Sequence, residues 1–377
     1  MKCIVNGRII QPEGLLDGRT LAFDAHIEGI LDAPPPGAEI IDAAGAYVSP
    51  GLIDVHCHGF RGMSASHASL AEVAAMSAEL VRHGVTAWLP TTMTLPWPGL
   101  EACFTALREA MAASAGPDWA GARVLGCHAE GPFISPARKG AQSGADILPP
   151  DIDRLRPWAD VVRLMTVAPE VPGMLDFIRQ ARALGVVLSM GHTDATAAQA
   201  QAGIEAGIDH ATHLFNAMPP LNHREPGPVG VALSDRRVYC ELIADTFHVS
   251  PLLFGPLMKL LPDRLVLITD AIEVAGLPDG PHDQLGQRVI VDGIRCRFPD
   301  GTIAGSALTL DRAVRNFARH ADIPLWQAAN LASLHPARSL GLAHRMGALR
   351  PGMEADIVIA DEAFHVARVF IGGRERK

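Results

Sequence analysis

The chain has 377 residues, 48% of them apolar and 19% charged, with a formal net charge of −9. That hydrophobicity with so small a net charge excludes a disordered chain, and the lack of a dominant basic patch argues against nucleic acid as a main partner. The six cysteines are scattered without a CxxC pair, as expected for reduced thiols in the cytoplasm. No secretory leader is expected, because the first residues lack an apolar run. No membrane span is expected either, because no apolar stretch reaches the ~18 residues needed.

In chain order, residues 3–10 and 20–27 read as short strands, and Asn6-Gly7 is a hairpin-turn signal. From Gly51 onward the pattern changes. Eight short runs rich in Val, Ile and Leu lie at 52–56, 85–89, 123–127, 161–167, 186–190, 209–213, 238–243 and 265–269. Most are continuously apolar, as strands covered on both faces must be. Helical patterns separate several of them. Leu70, Val73, Met76, Leu80 and Val81 recur at helical spacing until Gly84, and Met174, Phe177, Ile178, Ala181 and Leu184 do so until Gly185. This α/β alternation predicts a (β/α)8 TIM barrel. A doubly wound open sheet is the competitor, but its polar chemistry would gather at one switch point, not at many strand ends. Residues 276–303 are a Gly/Pro/Asp-rich excursion, read as a hairpin or lid. Residues 355–360 and 367–371 are again strand-like. Neither end of the chain can bury a core alone. Residues 1–50 and 346–377 are therefore expected to pair as a small β-sandwich domain beside a barrel of residues 51–345.

The chemistry sits where the runs end. His56 and His58 close the first run, and residues i and i+2 of a strand face the same side. Glu130 follows the third run, His192 the fifth, His213 ends the sixth and Asp270 follows the eighth. In a barrel, all these ends converge on one mouth. Taken singly, each residue is an ordinary polar loop group. Taken together, four imidazoles and two carboxylates suit zinc or another divalent transition ion, not a thiolate cluster or an all-oxygen calcium site. Asp194 is read as a helix N-cap and Asp245 as a strand-end or loop carboxylate. His128 and His210 are read as buried hydrogen-bonded supports, and Cys57 and Cys127 as packing. Met63 and Met218 either line the pocket or fill gaps.

Seven motifs recur in a familiar order: PGLIDVHCHG (50–59), HAEGPF (128–133), GHTDAT (191–196), THLFNAM (212–218), REPG (224–227), ITDA (268–271) and GSALTLD (305–311). Together with MGALRPGMEADIVIAD (346–361) they resemble the amidohydrolase superfamily, and within it the N-acetylglucosamine-6-phosphate deacetylase branch. The resemblance implies that Glu130, His192 and His213 bind a divalent metal. His56 and His58 match a second metal position that some members keep and others have lost, so one or two ions are expected. Zinc is the first choice, with iron, cobalt and manganese as alternatives. Asp270 matches the catalytic acid/base, which would take a proton from water and return it to the departing amine. His248, Arg224, and the backbone amides of Asn216 and Ala217 match substrate and phosphate contacts. Arg224 would reach the neighbouring active site of a homodimer. The products implied are acetate and glucosamine 6-phosphate.

One position departs from the pattern. Relatives carry a His in a Lys-Gly-Ala/Thr-His stretch, where this chain reads Lys139-Gly140-Ala141-Gln142. Gln142 can donate a hydrogen bond to substrate but cannot carry a proton. The epimer and acyl group of the substrate therefore stay open. N-acetylgalactosamine 6-phosphate is one alternative. An N-acyl amino acid deacylase or a cyclic-amide hydrolase of the same superfamily is another, and a non-catalytic scaffold is the bland reading.

Overall fold

The apolar runs become the staves of a barrel. The structure, a computed structural model, describes residues 1–284 and 287–377. Barrel strands β1 (Leu52–Cys57), β2 (Val85–Thr92), β3 (Cys127–Glu130), β4 (Val162–Val167), β5 (Val187–Met190), β6 (His210–Ala211), β7 (Tyr239–Ile243) and β8 (Leu265–Ile268) follow one another in space as in sequence. Every neighbouring pair from β1 to β8 is parallel. β8 returns to β1 through Asp270 N–H to His56 O and His58 N–H to Ala271 O, both 2.8 Å. This is the expected TIM barrel, nearly closed. The third run differs from its expected bounds. Arg123–Val124 pairs with the middle of β2, and the chain then resumes pairing at Cys127–Glu130. Glu130 is therefore the last residue of a strand and not part of a following loop.

Helices cover the outside where the periodicity placed them. Leu70–Val81 starts at a Ser69/Glu72 capping box, which satisfies two otherwise orphaned N–H groups. Met174–Ala183 buries Met174, Phe177, Ile178 and Ala181. No helix among the described residues is long and apolar enough to cross a membrane.

The two ends of the chain meet. Tyr47–Pro50 pairs with Ile357–Ala360, placing N- and C-terminal strands in one six-stranded sheet. A four-stranded sheet that includes Lys2–Val5 packs on it, around Ile4, Ile9, Leu21, Phe23, Val48, Ile357 and Phe370. The Asn6-Gly7 hairpin does not form. Lys2–Val5 pairs with Thr20–Phe23 and Glu39–Asp42, while Arg8–Gln11 pairs with Gly14–Leu16 and Tyr47–Pro50. The dipeptide carries the chain from one sheet to the other. Asn6 is left-handed (φ 54°), and a Cβ on Gly7 would lie 2.5 Å from Val48 Cγ2. A turn signal specifies local backbone shape but not which strands pair.

The 276–303 excursion is more than a hairpin. Gly280–Gln284, Gln287–Asp292, Arg295–Arg297 and Ile303–Ser306 form an antiparallel sheet. It has its own small core of Ile272, Val274, Val289, Val291, Cys296 and Ala304. Residues 285–286 of the excursion lie outside the described residues.

Candidate metal centre

The strands deliver their polar ends through strained backbone. His192 (φ 46°), His213 (φ 29°) and Asp270 (φ 49°) are all left-handed non-glycine residues. Such conformations cost of order 1–3 kcal/mol each and persist only where the surroundings over-determine them. Just before His192, Gly191 admits the neighbouring strand: a Cβ there would meet Thr212 Cβ at 2.6 Å.

Glu130 is the hub. Its Oε1 lies 3.0 Å from His213 Nε2, 3.1 Å from His192 Nε2 and 3.4 Å from His56 Nε2, and its Oε2 lies 3.3 Å from His58 Nε2. Asp270 Oδ1 is 3.4 Å from His56 Nε2 and 3.3 Å from His58 Nε2. Glu130 joins two buried ligand triads, Glu130/His192/His213 and His56/His58/Glu130, and a third buried group, His56/His128/Glu241, does not include it. Ligands held at 2.0–2.1 Å around a tetrahedral ion sit about 3.3 Å from one another. The observed separations match that spacing.

The ring orientations also fit a cation. His58 Nδ1 is 3.2 Å from Thr91 O, and His192 Nδ1 is 2.9 Å from Arg138 O. A carbonyl only accepts, so both Nδ1 atoms carry the hydrogen. Their Nε2 lone pairs then point into the centre. Nε2 faces Nε2 at 3.2 Å between His56 and His58 and at 3.1 Å between His192 and His213. Two lone pairs that close require a proton or a metal ion between them.

Without an ion, the carboxylates draw protons onto the rings. Burial alone would push His58 down, but Asp270 and Glu130 carry it up to about 9. His56 and His192 are raised against the same burial by neighbouring carboxylates. Conversely, burial would raise Glu130 and Asp270, yet the histidines hold both below the usual carboxylate range. The protons that balance these carboxylates occupy the place a divalent cation would take.

A cavity of about 280 Å³ opens onto this cluster. His58, Glu130, Gln142, His192, His213, Asn216, Ala217, His248 and Asp270 line it. Gln142 donates its amide to Glu130 Oε2, and its Oε1 accepts from Thr94 N at 2.6 Å. His248 is held by Asp245, whose Oδ2 is 2.6 Å from Nδ1 and whose Oδ1 accepts the Phe247 and His248 N–H groups at 2.8 Å. His56 lies behind the cavity wall, fully buried. Arg224 is exposed and does not line the cavity.

Some expectations change. Asp194 is no N-cap: Thr196 caps the helix Ala197–Ala206 with Gln199, and Asp194 pairs with Arg138 at 2.7 Å. Met93 lines the cavity, whereas Met63 and Met218 do not. His128 is a buried support, bonded to Val55 O and Thr166 Oγ1 and pushed down by burial to about 3. Several residues escaped the sequence reading. Glu241 contacts His56, Asp54 binds the Thr269 hydroxyl at 2.6 Å, and Thr302, Ile303, Ala304 and Gly305 form one cavity wall. The available signal for the first two was a carboxylate inside an otherwise apolar strand.

The fold and the site define a metal-dependent hydrolase barrel. The amidohydrolase family matches residues 47–376, and the chain belongs to that family. It is 35% identical to an N-acetylgalactosamine-6-phosphate deacetylase of Escherichia coli O157:H7, over 97% of each chain. It is 37% identical to an N-acetylglucosamine-6-phosphate deacetylase of Bacillus subtilis, over 86% of this chain and 83% of that one. The structure of a mutant N-acetyl-D-glucosamine-6-phosphate deacetylase from Mycobacterium smegmatis, in complex with N-acetyl-D-glucosamine 6-phosphate, superposes with a TM-score of 0.91 at 33% identity, covering 100% of this chain and 99% of that one.

Proposed function

We propose that this protein hydrolyses the acetamide of N-acetylglucosamine 6-phosphate to acetate and glucosamine 6-phosphate. The observation that carries the reading is the convergence of Glu130, His192 and His213 on one point beside the Asp270 carboxylate, at the floor of a sugar-sized cavity. Glu130, His192 and His213 would hold one divalent ion, and His56 and His58 a second that shares Glu130. Zinc suits the mixed nitrogen and oxygen donors best, with iron, cobalt and manganese as alternatives. A bound ion acidifies water and polarises the amide carbonyl.

The chain's own groups do the rest. Asp270 is ionised at neutral pH, since the histidines hold its carboxyl low against its burial. It takes the proton of the attacking water and returns it to the amine nitrogen as the C–N bond breaks. Gln142 presents its amide at the same wall. His248 and the amides of Asn216 and Ala217 receive the phosphate end. Exposed Arg224 fits a contact to the phosphate of a neighbouring subunit's substrate in a homodimer, as a guanidinium fork binds phosphate oxygens. In this reading residues 51–345 are the catalytic barrel, and residues 1–50 with 346–377 form the small β-domain. Six free, buried cysteines fit a cytoplasmic enzyme.

A second reading, N-acetylgalactosamine 6-phosphate, is favoured by the name of the E. coli O157:H7 relative. Acetate release should be measured for both epimers, each with and without 6-phosphate, and for N-acetyl amino acids. The reading expects turnover of a 6-phosphorylated amino sugar and little of the unphosphorylated one. Release from N-acetyl amino acids alone would overturn it.

A further inference from the structure

Glu241 lies inside β7 with no exposed surface, flanked by the apolar residues Cys240 and Leu242. A carboxylate so placed is costly unless it is paired and hydrogen-bonded. Its ion-pair partners among the described residues are histidines. Oε2 is 2.9 Å from His56 Nδ1, whereas Oε1 lies 3.4 Å from His210 Nδ1 without a hydrogen bond. Oε2 also accepts the backbone N–H of His213 at 3.0 Å.

This arrangement dictates what His56 can do. An ionised carboxylate only accepts, so the His56 hydrogen sits on Nδ1 and the Nε2 lone pair faces inward. There it meets His58 Nε2 at 3.2 Å, with Glu130 and Asp270 oxygens at 3.4 Å. A carboxylate behind an imidazole fixes the ring's tautomer and orientation and raises its basicity as a ligand. The same oxygen anchors the backbone of His213, whose ring belongs to the other triad. Glu241 thus ties both histidine pairs to one buried group. Such an expense is unnecessary if His56 is merely a packed ring.

We infer that Glu241 is a positioning residue that sets His56 to hold a second divalent ion beside the one on Glu130, His192 and His213. The inference rests on the metal-dependent reading above, but it is tested without substrate. Zinc content and the two zinc affinities would be measured by equilibrium dialysis against a competing chelator, for wild type, Glu241→Gln and Glu241→Leu. Wild type is expected to bind two ions per chain, and Glu241→Leu one. Glu241→Gln should keep both, because its amide oxygen still accepts from His56 and His213 and its NH2 can donate to His210. Losing the charge should weaken only the second ion, by about 10–100-fold.

A single ion in wild type at saturating zinc would overturn the inference. So would unchanged affinities in the variants, or equal weakening of both ions in Glu241→Gln. Should Glu241→Leu fail to fold, the selective effect in Glu241→Gln decides alone. A chain that binds two ions yet releases no acetate from any amino sugar would sink the deacetylase reading and leave this one standing.

Discussion

Charge is buried at the barrel mouth and partly buried at the seam between the barrel and the terminal sheets, and the two places handle it in opposite ways. At the seam, Arg123 lies between Glu354 and Asp356, 2.5 Å from the latter. Glu354 is also 2.5 Å from Arg345, and Asp356 accepts the Gly372 N–H at 2.9 Å. Donors and acceptors match there, and the cluster is complete as it stands. At the mouth, imidazole nitrogens face each other and carboxylates outnumber fixed cations. A self-satisfied cluster holds surfaces together, whereas a cluster whose ring nitrogens face one another is arranged for something that binds.

The contrast can be broken most sharply at Asp270. Asp270→Asn is expected to lower kcat by about 10³- to 10⁴-fold while metal content, read by mass spectrometry, stays at the wild-type level. Near-normal turnover would remove Asp270 from proton transfer. At the seam, the same kind of surgery should cost stability instead. Arg123→Met leaves Asp356 without its guanidinium and Glu354 with Arg345 alone, and is expected to lose about 1–3 kcal/mol in urea denaturation, with kcat of the folded protein unchanged. A large fall in kcat without loss of stability would erase the distinction between the two regions.

The pH dependence of the metal-free protein sharpens the comparison further. His58 is raised from an ordinary value near 6.5 to about 9 in the folded state. Its contribution to stability is present in full below the lower value and is lost as pH rises through the upper one. Chelated protein should therefore lose up to about 3 kcal/mol between these limits. Zinc should abolish that trend, because a bound ion replaces the proton. Melting temperatures with and without chelator across pH 6 to 9.5 would show it, and parallel curves would count against a cation-hungry mouth. The smallest effect is expected at exposed Arg224, which belongs to neither cluster. Arg224→Ala should raise KM for the phosphorylated sugar by roughly 10-fold and leave KM for the unphosphorylated sugar alone. Equal changes for both would take it away from phosphate.

Much of the fold and of the centre was legible in one dimension. Strand ends announce themselves where apolar runs stop, and parallel staves must put those ends on one rim. The positions of His56, His58, Glu130, His192, His213 and Asp270 on that rim follow from local pattern plus one rule of architecture. The Gly84 and Gly185 helix stops were equally local. Asn6-Gly7 misled because a turn dipeptide says nothing of the sheet each flanking strand joins. Asp194 misled because the residue two places on had the better geometry for a cap.

Tertiary structure alone decided the rest. Glu241 and His56 are 185 positions apart in the chain, and only the ring of strands sets them back to back. Gln142 rests on Glu130 through the path of a loop, and the wall formed by Thr302, Ile303, Ala304 and Gly305 reaches the cavity because an excursion folds into its own sheet. Periodicity is a property of neighbours along the chain. Which buried donor meets which buried acceptor depends on register between distant strands, and that is settled by packing the whole barrel at once.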